Sequence, residues 1–260
     1  MGLGIQKLAS RVSSIPLLNR VSPSGANIPT EDALQQYLRS QKLAQEAAVA
    51  TAKLVKEGWT EIQAAAMLET YLRDSGVHAF FHAGFAWFGE RSRFSGMRTY
   101  SDFMPSNRVI PAGGPFILDV APVFHGFTSD IGYTTSLGDN ADVLEARHFL
   151  NDLRAEIPAL FMSGKSGARI WKQLDTSIQE AGYHNVHQKY PFGVLGHRLY
   201  HLPENYPTLK ILNFGWQSFW GLWWRCTCFS EFRTCSAQSW QWQTCSCSYS
   251  LPTGASACWN

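Results

Sequence analysis

The first 225 residues contain no cysteine; all six, Cys226, Cys228, Cys235, Cys245, Cys247 and Cys258, fall in the closing stretch. A chain body without cysteine needs no disulfide and suits a reducing compartment. An excess of one charge is also lacking, because 22 basic and 20 acidic residues leave a net +2 that is scattered along the chain. That balance offers no electrostatic footprint for nucleic acid or an anionic membrane surface. No apolar run reaches the length of a transmembrane helix, and Met1 to Ile15 lacks the uninterrupted apolar stretch of a signal peptide. Gln6 stands where a myristoylation signal has Ser or Thr. The expected location is cytoplasmic, with neither membrane nor nucleic acid as partner.

What is present suffices for one large domain: 260 residues, 45% of them apolar. Residues 1–29, rich in Ser, Pro, Gly and Asn, read as an irregular lead-in. From Thr30 the pattern changes to an acidic first turn (Glu31, Asp32), helix formers through Lys56, and Gly58 as a stop. Thr60 and Gln63 have the spacing of a capping box, and Ile62, Ala65, Ala66, Leu68, Tyr71 and Leu72 recur at helical intervals, which predicts a second helix ending near Gly76. Between Val77 and Leu137, β-branched and aromatic runs alternate with Gly and Pro, which predicts strands joined by tight turns. Two more helices are expected at 141–161 and 168–181. The Gly164-Lys165-Ser166 between them is no phosphate loop, because Ala159 replaces the required glycine and no strand precedes it. The order of elements predicts an α+β domain with an antiparallel sheet covered by helices on one face.

The segment from Phe116 to Thr135 carries the chemistry. It reads as a hairpin in which Phe116, Leu118, Val120 and Phe124 alternate with Ile117, Asp119, Ala121 and Val123 before the turn. After the turn, Thr128, Asp130, Gly132 and Thr134 alternate with Phe127, Ile131, Tyr133 and Leu137. A two-residue turn near Phe124 to Gly126 puts Asp119 and Asp130 on one face, opposite or diagonal, about 5–8 Å apart at Cβ. Two carboxylates so close form either a repulsive pair or a cation site. Spacing alone favours two solvated aspartates in turns or caps, but Asp119 lies within a nearly continuous apolar run, where an unpaired carboxylate is costly.

Pro111-Ala-Gly-Gly-Pro-Phe-Ile-Leu-Asp119, followed by Asp130 and Gly132-Tyr133-Thr134, resembles the metal-binding hairpin of the pita-bread metallopeptidases. That family includes methionine aminopeptidases, prolidases, aminopeptidase P and creatinase. Glu57-Gly58-Trp59-Thr60-Glu61 is similar to its turn before the second helix, and Val194-Leu195-Gly196-His197 to its glycine-preceded histidine ligand. The resemblance implies a pita-bread fold over residues 30–220, with Asp119, Asp130 and His197 as metal ligands and His201 as a histidine contacting substrate. It further implies two divalent ions (manganese, cobalt, iron or zinc) activating a water, a peptide or small amide as substrate, and cleavage of amino-terminal or Xaa-Pro peptide bonds; a homodimer stays open. Two departures stand out. Ser101 occupies the place of the family's upstream histidine, for which His82 is either a replacement or simply a packed side chain, and His201 comes three residues early.

Residues 221–260 hold five tryptophans, six cysteines, no lysine and one acidic residue, Glu231, where the family has two glutamate ligands. The Cys226/Cys228 and Cys245/Cys247 pairs are too tightly spaced for zinc and have no histidine beside them. A frameshift accounts for this composition: read one base back, the codons of Cys258-Trp259-Asn260 contain Leu-Glu. The fold is thus expected to be incomplete at its C-terminus and the 260 residues to be inactive. The alternatives are a non-catalytic peptide- or protein-binding relative and a creatinase-like carbon–nitrogen hydrolase.

Overall fold

A computed structural model describes residues 30–94, 97, 100–185, 248–250 and 256–258. Helix α1 (Glu31–Leu54) starts on Thr30, whose hydroxyl accepts from the Ala33 amide at 3.2 Å. Its buried side is made of small residues, Ser40, Ala44, Ala47, Ala48 and Thr51, which lets the helix lie close to the sheet. Helix α2 (Glu61–Asp74) carries the anticipated capping box: Gln63 N–H donates to Thr60 Oγ1 at 3.3 Å, and Thr60 N–H donates to Gln63 Oε1 at 2.9 Å. Helices α4 (Ala141–Met162) and α5 (Gly167–Glu180) follow the sheet and share their own core of Leu150, Leu153, Ile157, Ile170, Leu174 and Ile178. Tyr100–Phe103 forms a single turn, α3.

The main sheet is antiparallel. Strand β1 (Ala79–Phe88) pairs with β2 (Pro115–Phe124), which pairs in turn with β3 (Phe127–Thr128) and β4 (Ile131–Ser136). The β2–β3 turn is the two-residue loop His125-Gly126, with φ of +49° and +82°. Two successive positive φ values are those of a type I′ turn, whose twist matches that of the flanking strands. The register is then unbroken, from Phe124 opposite Phe127 through Val120 opposite Ile131 to Pro115 opposite Ser136.

The β2 alternation sorts the two faces. Phe116, Leu118 and Val120 join Leu68, Leu72, Ala44 and Ala48 in the core beneath α1 and α2. Ile117 faces the other way with Phe85, Trp87, Phe94 and Phe103, and Ala121 and Val123 with Ala79 and Phe81. Asp119 lies between these two apolar clusters in sequence order along β2.

One expectation changes. The stretch between β1 and β2 is not a tight turn: Gly89–Arg93 forms a 3₁₀ turn, α3 follows, and the connection is tied back through buried Glu61. Glu61 accepts from Phe88 N–H and Ser106 N–H, both at 2.9 Å, from Ser106 Oγ at 2.6 Å and from Arg91 Nε at 2.8 Å. Among the described residues of the closing stretch, strands β6 (Ser248–Ser250) and β7 (Ser256–Cys258) pair with each other, and β6 pairs with β5 (His184–Asn185). No helix among the described residues is long and apolar enough to cross a membrane.

Candidate metal centre

Asp119 lies opposite Gly132 in the β2–β4 ladder. Continuing the same register sets Asp130 opposite Ala121, so the two aspartates are diagonal neighbours on one face, the second of the two arrangements the alternation allows. Both are buried, at 5% and 6% exposure. A pair of Ser hydroxyls fixes the residue beside Asp130: Ser40 Oγ on α1 donates to Phe127 O at 3.0 Å and lies 3.1 Å from Ser129 Oγ, which donates to Ser40 O at 3.1 Å.

The third member comes from β1. His82 is 2% exposed, and its Nε2 lies 3.3 Å from Asp130 Oδ1 and 3.4 Å from Asp119 Oδ1. Its Nδ1 is 2.9 Å from Ala83 O. A carbonyl only accepts, so Nδ1 carries a proton and Nε2 is the atom directed at the carboxylates. One ligand atom from each of His82, Asp119 and Asp130 lies within 4.8 Å of the others. Burial is the strongest single influence on the imidazole and disfavours its charge. The Asp130 hydrogen bond, the charges of Asp130 and Asp119 and the Ala83 carbonyl together outweigh it, raising the His82 pKa from 6.5 to about 9.

Two β-bulges aim this side chain. The β1–β2 register shifts between Phe80 and His82 and again between His82 and Phe85. Simple alternation from Ala79 would send Phe81 and Phe85 to the aspartate face and His82 to the helix side. The first bulge brings His82 opposite Ala121, on the aspartate face, and the second restores phase so that Phe85 sits opposite Asp119. Gly84, in the bulged stretch, presses against α2. A Cβ there would sit 3.1 Å from Ala65 O, and its amide donates to Glu69 Oε1 at 2.9 Å.

Of the residues expected at the site, the structure brings Asp119 and Asp130 together. His197 and His201 lie outside the described residues. Ser101 is exposed on α3. His82 is packed, its ring 5.2 Å from Phe85, and it also meets both carboxylates, which a simple strand alternation hides. The one sequence signal for it is Gly84 inside an otherwise apolar and aromatic strand, a common mark of a bulge.

The sequence profile of metallopeptidase family M24 matches residues 35–209. The chain belongs to metallopeptidase family M24. Its M24 fold is also that of solved peptidase structures. A dipeptidase PepE from Mycobacterium ulcerans superposes with a TM-score of 0.54 at 16% identity, over 71% of this chain and 47% of that one. Prolidase from Pyrococcus furiosus gives 0.53 at 19%, over 68% and 50%. The X-Pro aminopeptidase from Thermotoga maritima MSB8 gives 0.52 at 18%, over 67% and 47%. The chain thus spans about half the length of these M24 structures, and at such identities the likeness concerns the pita-bread fold alone. No curated protein matches the sequence.

The donor set fits a divalent metal ion, as the family implies. Two buried carboxylates converge with an imidazole whose other nitrogen is anchored on a backbone carbonyl, the arrangement that orients metal-binding histidines. An imidazole among oxygen donors suits manganese, cobalt, iron or zinc better than magnesium or calcium.

Proposed function

We propose that this chain carries the metal-binding hairpin of a metal-dependent peptidase acting on amino-terminal peptide bonds, Xaa-Pro bonds among them. The observation that supports it is the placement of Asp119 and Asp130 as buried diagonal neighbours on one sheet face, within the segment that the M24 profile matches. Asp119 and Asp130 would hold the ion, with His197 as a further ligand and His201 beside the substrate. A divalent ion bound there supplies positive charge to polarise an amide carbonyl and to acidify a water. The chain's own part is to hold two carboxylates in fixed register on a rigid sheet, with the buried cluster of Phe85, Trp87 and Ile117 packed on the same face.

The 260 residues by themselves are proposed not to hydrolyse peptides. A dinuclear site needs further carboxylates, and after Glu180 the only acidic residues are Glu204 and Glu231, neither in the Glu-Pro setting of the family's late strands. An out-of-frame origin of residues 221–260 accounts for this. The test is a dipeptide and Xaa-Pro hydrolysis assay of the 260-residue chain with manganese or cobalt added. No turnover is expected, and turnover that Asp130→Ala abolishes would overturn the inactive reading. Sequencing codons 218 to 260 of the gene decides the frameshift, which an early stop in the alternative frame would exclude.

A further inference from the structure

We infer that His82 is a metal ligand, supplied by the first strand, and that His82, Asp119 and Asp130 together form a three-residue site for one divalent transition-metal ion. The inference rests on the reading that Asp119 and Asp130 bind metal. It adds a nitrogen donor from a place in the chain where the family resemblance expects none.

Geometry carries it. With metal–ligand bonds of about 2.1 Å, neighbouring ligand atoms stand roughly 3.0 Å apart around an octahedral ion and roughly 3.4 Å around a tetrahedral one. The His82 Nε2 separations from Asp130 Oδ1 and Asp119 Oδ1, 3.3 and 3.4 Å, fall at that spacing. The anchoring of Nδ1 on Ala83 O is an independent observation. It fixes the ring plane and leaves Nε2 as the coordinating atom, as the outer partners of metal-bound histidines do. Charge agrees. Even with an imidazolium the three groups carry a net negative charge in a buried setting, whereas a divalent ion with two carboxylates and a neutral imidazole sums to zero. The bulges on either side of His82 put two irregularities into the β1–β2 pairing, and their consequence is to turn this one side chain toward the aspartates.

The test uses the 260-residue chain and manganese(II), read by binding titration and by pulsed electron paramagnetic resonance for coupling to a coordinated nitrogen. Wild type is expected to bind manganese with nitrogen coupling. His82→Gln is expected to weaken binding by about 10-fold or more, at least the cost of losing an outer-shell partner, and, introduced together with His197→Ala and His201→Ala, to leave no nitrogen coupling, since His197 is the other nitrogen donor of the proposed site. A His197→Ala/His201→Ala double variant leaves His82 untouched and is expected to keep the coupling, so the question is decided even where His82→Gln fails to fold. Coupling that disappears in the double variant, or persists in a folded protein carrying His82→Gln together with His197→Ala and His201→Ala, overturns the inference and leaves the metal reading standing. So does manganese bound without nitrogen coupling. Asp130→Ala is expected to abolish binding; unchanged binding in that variant, or none in wild type, would overturn the metal reading and this inference with it.

Discussion

Glu69 on α2 accepts the backbone amide of Gly84 on β1 at 2.9 Å, and this bond secures the bulged stretch that turns His82 toward Asp119 and Asp130. The amide is one that a bulge leaves out of the strand ladder, so the carboxylate stands in for a missing strand partner. Glycine suits the position, since a Cβ there would stand 3.1 Å from Ala65 O and 3.3 Å from Glu69 Cγ, and α2 would have to give by a few tenths of an ångström to admit it.

Glu69→Ala should therefore act at a distance from the carboxylates it supports. Loss of the acceptor is expected to destabilise the domain by about 1–3 kcal/mol, the cost of leaving a partly buried donor unpaired. Glu69→Gln keeps a carbonyl acceptor and should recover most of that loss. Urea unfolding of the three proteins checks this, and a Glu69→Gln protein as unstable as Glu69→Ala would point to charge, through Arg73 at 3.6 Å, as the cause.

Glu61 is expected to be among the most costly positions to change. Its buried carboxylate receives four hydrogen bonds, one from Arg91, which also donates from Nη2 to Met104 O at 2.9 Å. Glu61→Ala strands the Arg91 charge and two backbone amides, for a loss of about 3–5 kcal/mol. Limited trypsin digestion should then cut first after Arg91 or Arg93, in the connection that Glu61 ties down.

The metal-free protein should lose stability toward alkaline pH. The folded-state pKa of His82 is about 9, above the ordinary 6.5, so its contribution is fully present below pH 6.5 and vanishes as pH rises through 9. The swing is on the order of 3 kcal/mol. Urea unfolding in the presence of a chelator at pH 6, 7.5 and 9.5 should show it, with a flatter profile for His82→Gln; equal slopes would mean that the imidazole is neutral in the folded protein.

Metal should raise the melting temperature of the wild type. An ion that binds only the folded state at 100 times its dissociation constant adds about 2.7 kcal/mol. Asp119→Asn and Asp130→Asn, close in volume but without the charge, should show little or no manganese-induced shift. A shift of wild-type size in both would place the ion elsewhere.

The hairpin and the helices were legible from local pattern. Thr60 and Gln63 mark a helix start whatever lies around them, because the capping bonds close within four residues. The Phe116–Leu137 alternation predicts that Asp119 and Asp130 share a face, since strand side chains alternate with a period of two and a two-residue turn locks the register. The connection from Gly89 to Gly114 was not legible. Its shape depends on Glu61, far back in sequence and buried only once α2 packs on the sheet.

By itself the sequence determined the α+β order, the capped helices and the placing of two aspartates on one hairpin face, all consequences of short-range periodicity and turn chemistry, and left their register open between opposite and diagonal, which the structure resolved as diagonal. Only the tertiary structure decided that His82 joins them. Strand periodicity counts residues, and a bulge inserts one without leaving a pattern that can be counted. Whether the chain bulges at Phe80 to Phe85 depends on the helix behind it, where Ala65 and Glu69 meet Gly84.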